Sequence, residues 1–205
     1  MKRVPLADLR TAFSNPGKYA KTFTGQSGGG GPSKYGMFLH AIGEFHRTNN
    51  LQEAQEYLQR TIERNFKNIG DLPDYARKLQ VYAREFRQLG NTFVRVRDMV
   101  EVPIATEFAE FVVSGQAARF DLVPTGGYAA WVFVRDVPDW RDDPRMPLMQ
   151  LGYSKKLGVA TEEVLVGVYD FDAGAHSTER FSTSQINRAR RNLRGLLALL
   201  KERFK

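Results

Sequence analysis

The sequence predicts an α/β (α+β) fold in which a central mixed sheet is flanked by helices. Three observations predict it. From Tyr35 to Leu89 apolar residues recur at helical spacing. After Gly90 the period shortens to two, as in Phe93-Val94-Arg95-Val96. From Gln185 to Phe204 a helical stripe returns, with Ile186, Leu193, Leu196, Leu197 and Leu200 on one side.

Taken in order, Leu6 to Tyr19 reads as a short helix closed by a turn at Asn15-Pro16-Gly17. Gly25 to Gly31 is a glycine-rich loop. It lacks the Gly-Lys-Ser/Thr ending of a P-loop and follows no strand, so it is read as a loop beside a substrate channel. Tyr35 to Arg47 is a helix whose apolar face carries Phe38, Leu39, Ile42, Phe45 and His46, with His40 and Glu44 one turn apart. Asn50 caps a helix with the stripe Leu51, Ala54, Leu58, Ile62 and Phe66, and Glu53 sits where a capping box places it. Leu72 to Leu89 is a third helix with Gly90 as its C-cap.

Short extended pieces then cover Phe93–Val96 and Val100–Ile104. Three strands follow at Glu107–Val113, Ala117–Val123 and Tyr128–Val134. The turns between them are assigned to Ser114-Gly115 and to Pro124-Thr125-Gly126-Gly127. Pro144–Leu157 is a helix and Glu163–Phe171 an apolar strand. The reading is a single domain over residues 1–205, with 1–90 mainly helical and 91–205 holding the sheet core and C-terminal helices.

The chain has 205 residues, a formal net charge of +7 and no cysteine. Disulfides and thiolate metal sites are therefore excluded. No secretory signal and no long apolar run is visible, so a soluble, cytoplasmic protein without membrane contact is expected. Residues 185–205 carry a net +6, which leaves +1 for the rest. Such a patch suits nucleic acid or an acidic protein, and it is equally the solvated face of a helix.

Several motifs in this order resemble the PD-(D/E)XK nuclease superfamily, in its RecB-like and Cas4-like exonuclease branch. Asn15-Pro16-Gly17-Lys18-Tyr19 is similar to the family's early Pro-x-x-Tyr turn. Gly36-Met37-Phe38-Leu39-His40 matches Gly-x-x-x-His, and Glu101-Val102-Pro103 resembles Glu-x-Pro. Gly115-Gln116-Ala117-Ala118-Arg119-Phe120-Asp121 fits Gly-x-x-Asp-Arg-x-Asp except at the metal-binding aspartate, which is Ala118. Phe133-Val134-Arg135 stands where Asp/Glu-x-Lys belongs. Gln150 opens a Gln-x-x-x-Tyr pattern in which Tyr153 comes one residue early.

The resemblance implies a restriction-endonuclease-like core and a phage or bacterial source. It also implies phosphodiester hydrolysis with Mg2+ or Mn2+, for which hard cations require oxygen ligands. Ala118 and Phe133 offer none, and Arg135 is a poor substitute for the lysine. Two readings of activity follow. In the first, the chain is catalytically impaired and binds DNA or a protein partner in recombination, replication or defence, with no metal cofactor. In the second, it is an active exonuclease with a displaced site built from His40, Glu101, Asp121, Arg135 and Gln150, with His40 and Asp121 on the metal. A structural or assembly protein is the third alternative.

His40 is either that helix-borne ligand or a buried histidine bonded to Glu44 or a sheet residue. Glu101 is a surviving acid of the cleft or the partner of Arg95 or Arg97. Asp139, Asp142 and Asp143 form either a migrated ligand loop or a solvated turn. Trp131 is expected in the core. Trp140 either stacks on a base or covers the sheet edge. Arg119, Arg188, Arg190, Arg191 and Arg194 are the candidate DNA contacts.

Overall fold

In the computed structural model, which describes residues 1–25, 33–134, 139–170 and 173–204, one long strand organises the sheet. This is β3, Phe111–Leu122. Along one edge it pairs antiparallel with β2, Thr92–Val102. Along the other it pairs parallel with β1, Lys2–Pro5, and antiparallel with β4, Tyr128–Val134. β5, Val164–Asp170, lies parallel to β4, and β6, Ala175–Glu179, closes the edge antiparallel to β5. The sheet is therefore mixed, and β4 is interior to it.

Helices cover both faces. On one lie α3 (Lys34–Thr48), α4 (Leu51–Asn65) and α5 (Leu72–Gln88), whose Phe38, Ile42, Phe45, Leu58, Ile62, Leu79 and Phe86 pack with Ala129, Trp131 and Phe133. On the other lie α1 (Leu9–Ser14), α2 (Pro16–Thr22), α6 (Arg145–Leu157) and α7 (Thr183–Arg203). The helical stripes thus decide which side each helix buries. Asn50 accepts from the Gln52 and Glu53 amides as an N-cap should. Glu53 turns to the Asn50 side-chain amide rather than to its backbone, so the box is incomplete.

Several local expectations change. Asn15-Pro16-Gly17 closes no helix at Tyr19: Asn15 caps α2, which starts at Pro16. Ser114-Gly115 is no turn: β3 runs through it. A side chain at Gly115 would stand 2.4 Å from Leu6, whose own side chain occupies that space. Glycine marks a close approach here instead of a reversal. Phe93–Val96 and Val100–Val102 belong to the single strand β2, bulged near Val94, and Pro103 and Ile104 lie beyond its end. The 107–108 segment is a 3-10 turn, not the start of a strand. β1 and β6 add two strands that the apolar pattern does not announce. In the interior, Gly167 faces Trp131 across the ladder, where a Cβ would meet the indole at 2.3 Å. Of the glycine-rich stretch, only Gly25 falls among the described residues.

Candidate functional site

Because β1 leaves β3 after Ser114 and β4 joins only at Arg119, the edge of β3 between them is open. A cavity of about 420 Å³ lies at this fork, with Arg3, Leu6, Arg97, Gln116, Val132 and Arg145 among its lining. On the far side of β3 the ladder to β2 is also interrupted. The Tyr153 hydroxyl accepts from the Ala117 amide at 3.3 Å and donates to the Asp98 carbonyl at 2.7 Å. An α6 side chain therefore bridges a strand pair at the fork. This gives Tyr153 a structural occupation, and burial raises its phenol above the ordinary range.

Arg97, next to that bridge, has φ 54°. A left-handed backbone at a long non-glycine residue is uncommon and costs on the order of 1–3 kcal/mol. The sheet changes face at this point. Val96 packs on the α3–α5 side, whereas Val100 and Val102, of the same parity, pack against the α6–α7 side. Ala118 and Phe120 divide in the same way.

The Arg97 guanidinium reaches α3, where NH1 lies 3.1 Å from His40 Nε2 and close to Gly36. The contact needs a neutral His40 with Nε2 as acceptor. Burial, then the Arg97 charge, lowers the His40 pKa in agreement. His40 is nonetheless exposed, and its partner is not Glu44, which is held by Arg47.

A second polar constellation is sealed beneath α3 and α5. Arg119 and Asp121 are both fully buried and joined Nε to Oδ1 at 2.6 Å. Asp121 Oδ2 accepts from Trp131 Nε1 at 2.9 Å and Asn91 Nδ2 at 3.3 Å. Arg119 NH1 meets the Tyr82 hydroxyl and lies 2.9 Å from His46 Nε2. Its guanidinium lies over the Phe86 ring at 4.2 Å, and its NH2 has no hydrogen-bond partner. Burial pushes the Asp121 carboxyl up, against the pull of Arg119 and the N–H donors.

His46 stacks on Phe93 at 4.2 Å. Burial, then Arg119 and Arg87, holds its pKa down at about 3. The sign follows from linkage. The unfolded chain takes up a proton near pH 6.5 that folded His46 refuses, so this contribution is complete above pH 6.5 and is lost as pH falls. Between pH 7 and pH 5 the loss should be about 2 kcal/mol. Asp121 acts with the opposite sign and His40 with the same sign, so the measurement is a comparison. Urea unfolding of the parent and His46→Gln across that range should show a flatter pH dependence in the variant. Identical slopes would remove His46 as the cause.

The other candidate residues scatter. Glu101 is exposed on β2, while Arg95 turns to Asp98 at 3.3 Å and Arg97 to His40. Gln150 is fully buried and clamps the carbonyls of Thr161 and Phe181 and the Phe181 amide, which ties α6 to the start of α7. Ala118 and Phe133 both lie in the apolar cluster under α3–α5. Arg135 lies outside the described residues.

Asp143 is buried against Arg145, bidentate at 2.5–2.9 Å. Trp140 is buried and donates to Ser177 on β6 at 2.9 Å, so it covers the sheet edge and offers no face to a base. Arg119 has no solvent access, whereas Arg188, Arg190, Arg191 and Arg194 are exposed on α7. Among the described residues no group of three or more His, Cys, Asp or Glu gathers to hold a metal. No helix among them is long and apolar enough to cross a membrane.

The sequence did not point to Arg3 or Arg97 as lining a cleft, nor to Tyr82 as a partner of Arg119. The Arg119–Asp121 pair did carry a signal, since residues two apart on a strand share a face.

No protein-family model and no curated protein matches this chain. Among solved structures, the crystal structure of a protein named as an exonuclease, from Eubacterium rectale, is similar with a TM-score of 0.51 at 9% identity. The match covers 98% of this chain and 82% of that one. The likeness is one of fold: a mixed sheet between helical layers, matching a restriction-endonuclease-like α/β core.

Proposed function

We propose that this chain uses a PD-(D/E)XK nuclease-like fold to bind nucleic acid, with the metal-dependent cutting chemistry impaired. The observation that carries this reading is what stands at the fork. The strand position that bears a metal carboxylate in the family it resembles is Ala118, and the one on the next strand is Phe133. Both are packed into apolar surroundings. The helix-borne His40 directs its ring nitrogen to a guanidinium, a cation where a metal ligand would need an open lone pair. Asp121, the acid nearest in sequence, has both oxygens engaged inside the protein. A role in recombination, replication or defence belongs to the same proposal, through DNA or a protein partner.

The test is degradation of linear single- and double-stranded DNA in Mg2+ or Mn2+. Loss of one positioned electrostatic group lowers turnover by about 100- to 1,000-fold, and two ligand positions are replaced here. The expected rate is therefore indistinguishable from that in EDTA. Metal-dependent degradation abolished by His40→Ala and Asp121→Ala would support the active exonuclease with a displaced site instead.

A further inference from the structure

We propose that the fork cleft is a metal-free phosphate site, in which Arg3 and Arg97 grip a phosphate group. The proposal rests on the nucleic-acid reading above and deepens it by naming the ligand chemistry of one site.

Arg3 on β1 and Arg97 on β2 line the same cavity of about 420 Å³, and both are exposed. Neither pairs with a carboxylate among the described residues. Arg3 makes no side-chain ion pair, and the Arg97 guanidinium meets only the neutral His40 ring. The third arginine of the lining, Arg145, is already neutralised by Asp143. Two cations on one cleft, neither neutralised by a carboxylate, attract an anion.

A guanidinium presents a planar fork of donors matched to phosphate oxygens. Gln116, whose amide already donates to the Arg97 carbonyl at 3.1 Å, adds a polar group to a lining that is otherwise largely apolar, with Leu6, Met99, Val132, Met146 and Met149. Arg97 also keeps its left-handed backbone, a conformation that asparagine or glycine would adopt at lower cost. Strain held at a residue that lines a cleft points to use of that side chain.

Two arms, both in EDTA, test this. In the first, the melting temperature of the parent and of Arg3→Gln/Arg97→Gln is followed as inorganic phosphate is added, against chloride at equal ionic strength. The parent should rise and the double variant should not. In the second, fluorescence anisotropy measures a single-stranded oligonucleotide with and without a 5′-phosphate, for the parent, the double variant and the α7 variant Arg190→Gln/Arg191→Gln/Arg194→Gln. The double variant should bind about tenfold more weakly.

A preference for the phosphorylated end that survives in the α7 variant, and is lost in the cleft variant, assigns the site to a strand terminus. Equal loss for both oligonucleotides assigns it to a backbone phosphate. A phosphate response without oligonucleotide binding keeps the cleft as a site for free phosphate and sinks the nucleic-acid reading. An equal phosphate response in parent and double variant, or none in either, overturns the cleft even if DNA still binds through α7. Both arginines are exposed, so the double variant should fold. Arg3→Gln alone, which touches one exposed side chain, should show a partial loss in both arms, and its absence counts against the site.

Discussion

Replacing Asp121 by alanine is expected to destabilise the protein by about 3–5 kcal/mol, the penalty of stranding the partner of a buried ion pair. Arg119 is fully buried, and its NH2 already lacks a partner. Without Asp121 its Nε loses a 2.6 Å acceptor, and the Trp131 indole and Asn91 amide lose theirs. Each orphaned donor adds a desolvation cost of about 1–3 kcal/mol before relaxation. Asp121→Asn should cost less, because an amide oxygen can still accept from Trp131. The double change Arg119→Met/Asp121→Leu should recover much of the loss, since a buried pair exchanged for apolar groups is often neutral or better.

Urea unfolding at constant pH reads all three. The same series separates two occupations for this acid. A carboxylate that serves a metal can be lost at little cost in stability and large cost in activity. One that neutralises a buried arginine shows the reverse. An Asp121→Ala protein as stable as the parent would return Asp121 to the candidate chemistry.

That distinction was only partly legible in the chain. The helices were, because Phe38, Ile42, Phe45 and later Leu79 and Phe86 repeat at a period that only a helix satisfies, and those faces are the buried ones. β4 was legible from its continuous apolar run, as an interior strand should be. β1 was not, because Lys2-Arg3-Val4-Pro5 buries only Val4 and pairs with residues more than a hundred positions away. β6 was not, because Ala175-His176-Ser177-Thr178-Glu179 is an edge strand with no apolar alternation. Ser114-Gly115 was misread because a glycine that yields to Leu6 looks the same in sequence as a glycine that turns.

The candidate site shows the same division. The replacements at Ala118 and Phe133 are visible in the sequence. What replaced them is not, since Arg97 meets His40 and Arg119 meets His46 and Tyr82 only through the tertiary fold.

Neutralising Arg190, Arg191 and Arg194 together should weaken DNA binding by tenfold or more at low salt while leaving the fold intact. α7 begins at a Ser182 cap whose hydroxyl accepts from the Gln185 amide. Ile186, Ala189, Leu193, Leu196, Leu197 and Leu200 then face the core. None of the three arginines belongs to that stripe, so glutamine at each position keeps the packing. With Asn187 they rim a groove of about 230 Å³ whose floor includes Ile104, Phe108 and Leu197. Arginines on such a rim reach backbone phosphates and read no bases, so binding should be sequence-poor.

Each phosphate contact contributes about 0.9 to the slope of log affinity against log salt, and the triple variant should lose about 2–3 units of slope. Arg194 is the weakest contributor, because its NH2 is 2.6 Å from Glu107. That pair is exposed and worth about 0–1 kcal/mol, so DNA can compete for the arginine. Glu107→Gln should therefore tighten binding at low salt, in the direction opposite to the arginine changes. An unchanged affinity in the triple variant would exclude α7 as the contact. If the parent protein itself fails to bind DNA at low salt, these arginines serve an acidic protein surface, and the assembly-protein reading takes the place of the nucleic-acid one.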